Sequence, residues 1–116
     1  TQAKQGGPMR IQARRPVLRS YVHALELARV VFDLALDEAA SITLDTAGEE
    51  VVELADLAAA IGRALDLPGV AIERPPLEAG AEPDHYVGDG AAYRAALGGP
   101  PVGLDPIIRD TAAWLG

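Results

Sequence analysis

Cysteine is absent from the sequence, which excludes a disulfide framework, a thiolate metal site and a cysteine nucleophile. Lysine occurs once, at Lys4, and bulky aromatics are scarce: one Phe, one Trp and three Tyr in 116 residues. No apolar run approaches the roughly 18 residues that a membrane span requires, so no membrane partner is expected. The missing thiols fit a reducing compartment, and a cytoplasmic location is expected. Hydrophobic residues make up 49% of the chain, but 22 of them are alanine. Alanine buries little surface, so a chain of this length is one domain or part of one, with a thin core.

The net charge is −7 and unevenly placed. Lys4, Arg10, Arg14, Arg15 and Arg19 come before any acid, the first being Glu26. Residues 1–19 thus carry +5, leaving −12 on residues 20–116. An acidic total argues against nucleic acid, whose binding runs on phosphate neutralisation. A local cationic cluster still suits one small polyanion. The chain starts at Thr1, and its opening "TQAKQGGPMRIQ" reads like the middle of a longer chain. It is expected to be a piece of a larger protein.

Periodicity orders the elements. "MRIQA" (9–13) and "VLRSYVH" (17–23) alternate with period 2 and read as strands separated by Pro16. From Ala24 to Glu38 the polar residues Glu26, Arg29, Asp33 and Asp37 form one narrow helical stripe. The rest of that helix is apolar, which demands cover from several sides and points to a portion outside this chain. "SITLDTAG" (41–48) reads as a buried strand and turn. An amphipathic helix spans 53–66, without a Ser, Thr or Asp cap, and "VAIE" (70–73) is a strand. Three prolines make 74–85 a loop. Asp89 caps a helix to Leu97, closed by Gly98 and Gly99, and Asp105 with Pro106 opens a last helix through Trp114 and Leu115.

In that order the segments resemble the C-terminal half of extended short-chain dehydrogenases/reductases, the NAD-dependent epimerase/dehydratase family. "RSYVHALELA" is similar to the family's stretch of Arg, a small or acidic residue, an aromatic, Val or Ile, His or Tyr, then the start of a helix. "ITLDTAGEEVVELADLAAAIGRALDLP" looks like its strand, glycine turn and helix. "HYVGDGAAYRAALGGPPVGLDPIIRDTAAWL" resembles its closing Tyr-x-x-Asp, Leu-Gly and Trp-Leu pattern.

The resemblance implies a mixed α/β lobe with small, short-stranded sheets and about four helices. Residues 1–116 would be the substrate-binding lobe, and the N-terminal Rossmann domain that binds NAD or NADP would lie outside the chain. It further implies a nucleotide-sugar substrate. Catalytic residues are expected elsewhere, since the sequence has no GxGxxG and no Tyr with a Lys four residues on. A homodimer of the full-length protein is left open.

On the same footing, Arg19 is implied to contact the substrate diphosphate, a task that suits the planar, permanently charged guanidinium. Met9, Arg10 and Ile11 match the strand beside the nucleotide base. Two departures stand out. Glu26 occupies a position where the family usually has Asp, beginning a helix for which Glu is the poorer cap. In "EPDHYVGD" no Arg precedes the Tyr-x-x-Asp, leaving His85 as the candidate second phosphate contact.

Other residues read more plainly. Arg14 and Arg15 are expected to be solvated, and His23 to pack or hydrogen-bond. Glu49, Glu50, Glu53 and Asp56 read as a solvated acidic face near a helix start, where the dipole favours them. Tyr21, Phe32 and Trp114 read as core, and Tyr86 as cleft or packing. Two alternatives are carried: a non-catalytic interaction or regulatory module, and, below it, a helix-turn-helix domain suggested by "VVELADLAAAIG".

Overall fold

The computed structural model describes residues 2–37, 43–67 and 69–116. One turn of 3₁₀ helix (Ala3–Gln5) leads to β1 (Met9–Arg10) and β2 (Val17–Ser20), followed by helix α1 (Ala24–Ala35). Then come β3 (Val51–Glu53), α2 (Leu54–Ala64), β4 (Ile72–Glu73), β5 (Asp84–Tyr86), α3 (Ala91–Leu97) and α4 (Leu104–Trp114). The strands form two sheets: β1 beside β4 in parallel, and β3-β2-β5, with β2 antiparallel to β3 and parallel to β5. This is the expected mixed α/β lobe of four helices and small sheets.

Two apolar clusters hold the chain. Ala3, Met9 and Ala58 form one, with Ile11, Ile61, Leu65, Leu67 and Val70 around it. Ala60, Leu104 and Ile108 form the other, where α2 meets α4 and where Tyr21, Val52 and Leu57 also pack. The alanines let α2 approach its neighbours closely, but they hide little surface. The accessible area is 7763 Å², against about 6,000 Å² for a compact monomer of this mass. The radius of gyration is 16.6 Å over extents of 50 × 38 × 18 Å, against about 13 Å for a compact domain of this length. The chain is a slab rather than a ball.

Helix α1 shows why. Val30 is its buried residue, while Leu25, Val31, Phe32 and Leu36 all face outward. The sequence places Phe32 and Trp114 in the core; instead they are 69% and 84% exposed. The aromatic that is fully buried is Tyr93 on α3. Its hydroxyl donates to Glu26 Oε1 at 3.0 Å, and Glu26 Oε2 accepts from Val102 N at 2.8 Å. Glu26 is therefore no cap; the extra methylene over Asp extends its carboxylate from α1 to α3 and to the loop before α4. The cap of α1 is His23, whose Nδ1 accepts from Leu25 N, while its Nε2 meets Asp110 Oδ2 on α4 at 2.7 Å.

Burial, with the Glu26 hydrogen bond and charge beside it, pushes the Tyr93 phenol up to about 12. Tyr93→Phe should cost about 1–2 kcal/mol in denaturant unfolding, because one Glu26 oxygen loses its donor. The phenol's folded pKa lies above its unfolded value, so its contribution is complete below about 10 and is lost as pH rises towards 12. The Phe variant should lose that alkaline slope.

Three further expectations are corrected. Residues 41 and 42 of the strand placed at 41–48 lie outside the described residues, and 43–48 form no strand. The paired strand is Val51–Glu53, immediately before α2, because that stretch can reach β2. The supposed loop 74–85 ends in strand β5, which pairs with β2 from Val17↔Asp84 to Arg19↔Tyr86. Asp105 does not cap α4: the cap position is Gly103, and Leu104 N donates to Glu50 Oε1 at 3.0 Å. Asp89 does serve α3, accepting from Ala91 N at 3.1 Å.

Candidate functional site

The acids near α2 are less solvated than the sequence suggests. Glu53 is the cap of α2: Oε2 accepts from Ala55 N (2.7 Å) and Oε1 from Val17 N (3.1 Å). Oε1 also meets Arg74 Nη1 at 2.7 Å, with side chains 18% and 13% exposed. Arg74 continues to two carbonyls, Ala13 O through Nε (3.1 Å) and Arg15 O through Nη2 (2.7 Å). Burial would raise the Glu53 carboxyl, yet the two amide donors and the guanidinium hold it below its ordinary value. This network fixes the turn between β1 and β2 and thereby the start of the strand that carries Arg19. Sequence reading missed Arg74 because its partners lie 21, 59 and 61 residues away.

Arg19 is exposed on β2, the central strand of its sheet, between Val52 of β3 and Tyr86 of β5. Its guanidinium carbon lies 4.9 Å from the centre of the Tyr86 ring. Four other arginines are matched by acids: Arg10 with Glu73 (2.9 Å), Arg15 with Asp84 (3.5 Å), Arg94 of α3 with Glu49 (3.0 Å) and Arg74 with Glu53; Arg14, in the turn before β2, is exposed and has no such partner among the described residues. Among the described residues, Arg19 has no carboxylate partner and no hydrogen-bond acceptor.

Met9, Arg10 and Ile11 line a cleft of about 400 Å³, opposite Leu54, Leu57 and Ala58 of α2. Met9 is buried, and its amide and that of Ile11 are bonded to Ala71 O and Glu73 O, each at 2.8 Å. The Arg10 amide donates to Gln2 Oε1 at 2.7 Å. A base reading the Arg10 amide would have to displace the Gln2 side chain.

His85 is exposed but stands opposite Leu18, one position out of step with the Arg19↔Tyr86 pair. Directly paired residues share a sheet face and successive ones alternate. His85 therefore belongs to the face away from Arg19, and the structure does not bring the two together. Among the described residues, no group of three or more His, Asp or Glu gathers where a metal ion could sit. The helix-turn-helix arrangement is not formed, since β4 and not a second helix follows α2. No described helix is long and apolar enough to cross a membrane.

No protein-family model and no curated protein matches the chain. Solved structures do. The chain is similar to a dTDP-glucose 4,6-dehydratase from Bacillus anthracis, solved in complex with NAD, with TM-score 0.74 and 13% identity over 97% of this chain and 36% of that one. It is similar to a UDP-N-acetylglucosamine 4-epimerase from Methanobrevibacter ruminantium in complex with UDP-N-acetylmuramic acid, with TM-score 0.75 and 15% identity over 97% and 36%. It is also similar to a UDP-glucose 4-epimerase from Thermotoga maritima solved with UDP-glucose, with TM-score 0.75 and 16% identity over 98% and 36%. The chain spans about a third of the length of these enzymes, and the fold it shares with that third is the mixed α/β lobe described above.

Proposed function

We propose that this chain is the substrate-binding lobe of an NAD(P)-dependent nucleotide-sugar epimerase, dehydratase or reductase. Residues 1–116 would be part of a larger enzyme whose N-terminal Rossmann domain binds NAD or NADP. The observation that carries the reading is Arg19: an exposed guanidinium on a sheet, without a carboxylate partner among the described residues, in a fold shared with nucleotide-sugar enzymes. A guanidinium left without an acid can offer its donors to phosphate oxygens, two at a time.

On this reading Arg19 anchors the substrate diphosphate and the Met9–Ile11 strand borders the base. The bound nicotinamide supplies the hydride chemistry, while the lobe orients the sugar. With His85 on the other face of the sheet, the diphosphate falls to Arg19. The uncovered side of α1, with Leu25, Phe32 and Leu36, would then be the seat of the Rossmann domain. A non-catalytic interaction module is the second reading, favoured by that same apolar side. A glycine-rich turn and a Tyr/Lys pair upstream in the parent protein would decide for the enzyme.

In the full-length protein, Arg19→Ala should weaken nucleotide-sugar binding about 10- to 100-fold, the loss of a charge-assisted pair, with NAD(H) affinity unchanged. Calorimetric titration checks this. Unchanged affinity for every nucleotide sugar that the wild type binds would overturn the reading.

A further inference from the structure

The ring beneath Arg19 is itself solvent-facing: Tyr86 is 60% exposed, so it adds little to the core. A buried staple between strands would not need to sit there. What the ring does is hold a cation. The β2–β5 register sets Arg19 directly opposite Tyr86, which brings the guanidinium carbon over the ring, 4.9 Å from its centre.

We infer that Tyr86 is the positioning residue for Arg19, fixing its guanidinium so that the N–H edge is presented to an anionic ligand such as a diphosphate. This rests on the functional reading above and deepens it. A ring that meets a guanidinium at its face takes up none of its five N–H donors, which lie in the plane and point outward. A carboxylate partner takes up donors: one nitrogen each of Arg10 and Arg94 is already engaged in this way. Stacking therefore restricts a long, freely rotating side chain while leaving its hydrogen-bonding capacity intact. The ring face is what matters, so the Tyr86 hydroxyl is dispensable and a Phe serves equally.

The test is calorimetry on the full-length protein with UDP as the probe, across wild type, Tyr86→Phe, Tyr86→Leu, Arg19→Ala and the Tyr86→Leu/Arg19→Ala double variant. Tyr86→Phe should match wild type. Tyr86→Leu should bind UDP about 3- to 10-fold more weakly, and should add nothing once Arg19 is already alanine. A purely structural tyrosine would weaken binding in both backgrounds, and that result would overturn the inference. Full affinity in Tyr86→Leu with a loss in Arg19→Ala would overturn the role of Tyr86 while leaving the functional reading in place. Full affinity in Arg19→Ala, or no UDP binding by the wild type, would overturn both. Should the leucine variant fail to fold, the wild-type protein still decides: the Arg19 Nε–H proton must show an upfield ring-current shift, and its absence would refute the stack.

Discussion

Arg74→Ala should destabilise the protein by about 3–5 kcal/mol, the range for removing one partner of a largely buried ion pair. Three groups lose a donor at once: the Glu53 carboxylate and the carbonyls of Ala13 and Arg15. Two amides remain on Glu53, from Ala55 and Val17, so its charge is left half-compensated in a mostly buried place. Urea unfolding of the two proteins measures the difference; a loss under about 1 kcal/mol would show that the network behaves like a surface pair. Acid provides a second readout. The Glu53 carboxyl titrates lower in the folded than in the unfolded chain, so the folded state binds fewer protons. Its stabilisation is present above the ordinary glutamate value, about 4.3, and is lost as pH falls through the folded value. Glu53→Gln should flatten that acid limb of the stability profile.

The second large effect is expected at Gly48. A methyl group there would overlap the carbonyl oxygen of Tyr21 and lie 2.9 Å from both the carbonyl carbon and the amide nitrogen of that residue. These are backbone atoms just past the end of β2, and they cannot rotate aside. Gly48 N also donates to Ser20 Oγ at 3.2 Å, so the close approach is held by a bond. Gly48→Ala should cost about 3 kcal/mol, the upper end of overpacking. Gly99→Ala, where a Cβ meets nothing within 4 Å and φ is not positive, should stay within about 0.5 kcal/mol. Thermal unfolding of the pair checks both; equal shifts would mean that the 43–48 segment yields freely.

The helices and the strands β1, β2 and β4 were readable because period and punctuation are local. Alternation marked Val17–Ser20, and the polar stripe from Glu26 to Asp33 marked α1. The strands β3 and β5 were not readable, since β3 runs straight into α2 and β5 closes a proline-rich stretch, leaving neither a period of its own; each exists because β2 offers it an edge. The acids were misjudged for a related reason. Glu26, Glu50 and Glu53 look like ordinary surface residues until chain segments 36 to 76 positions away bring their backbone amides. For the site, Arg19 stood out through its motif. Its platform did not, because Tyr86 is 67 positions away and reads as core or cleft alike.

The slab shape has a calorimetric consequence. The heat capacity of unfolding follows the apolar surface newly exposed to water, about 12–15 cal/mol/K per residue in ordinary globules. A chain that keeps Leu25, Phe32, Leu36 and Trp114 wet while folded has less left to expose. Its stability curve should therefore be flatter than its length implies, with gentle losses towards both cold and heat. A body covering α1 would restore the missing curvature, so that covered and uncovered forms would differ in how sharply temperature governs them as well as in strength.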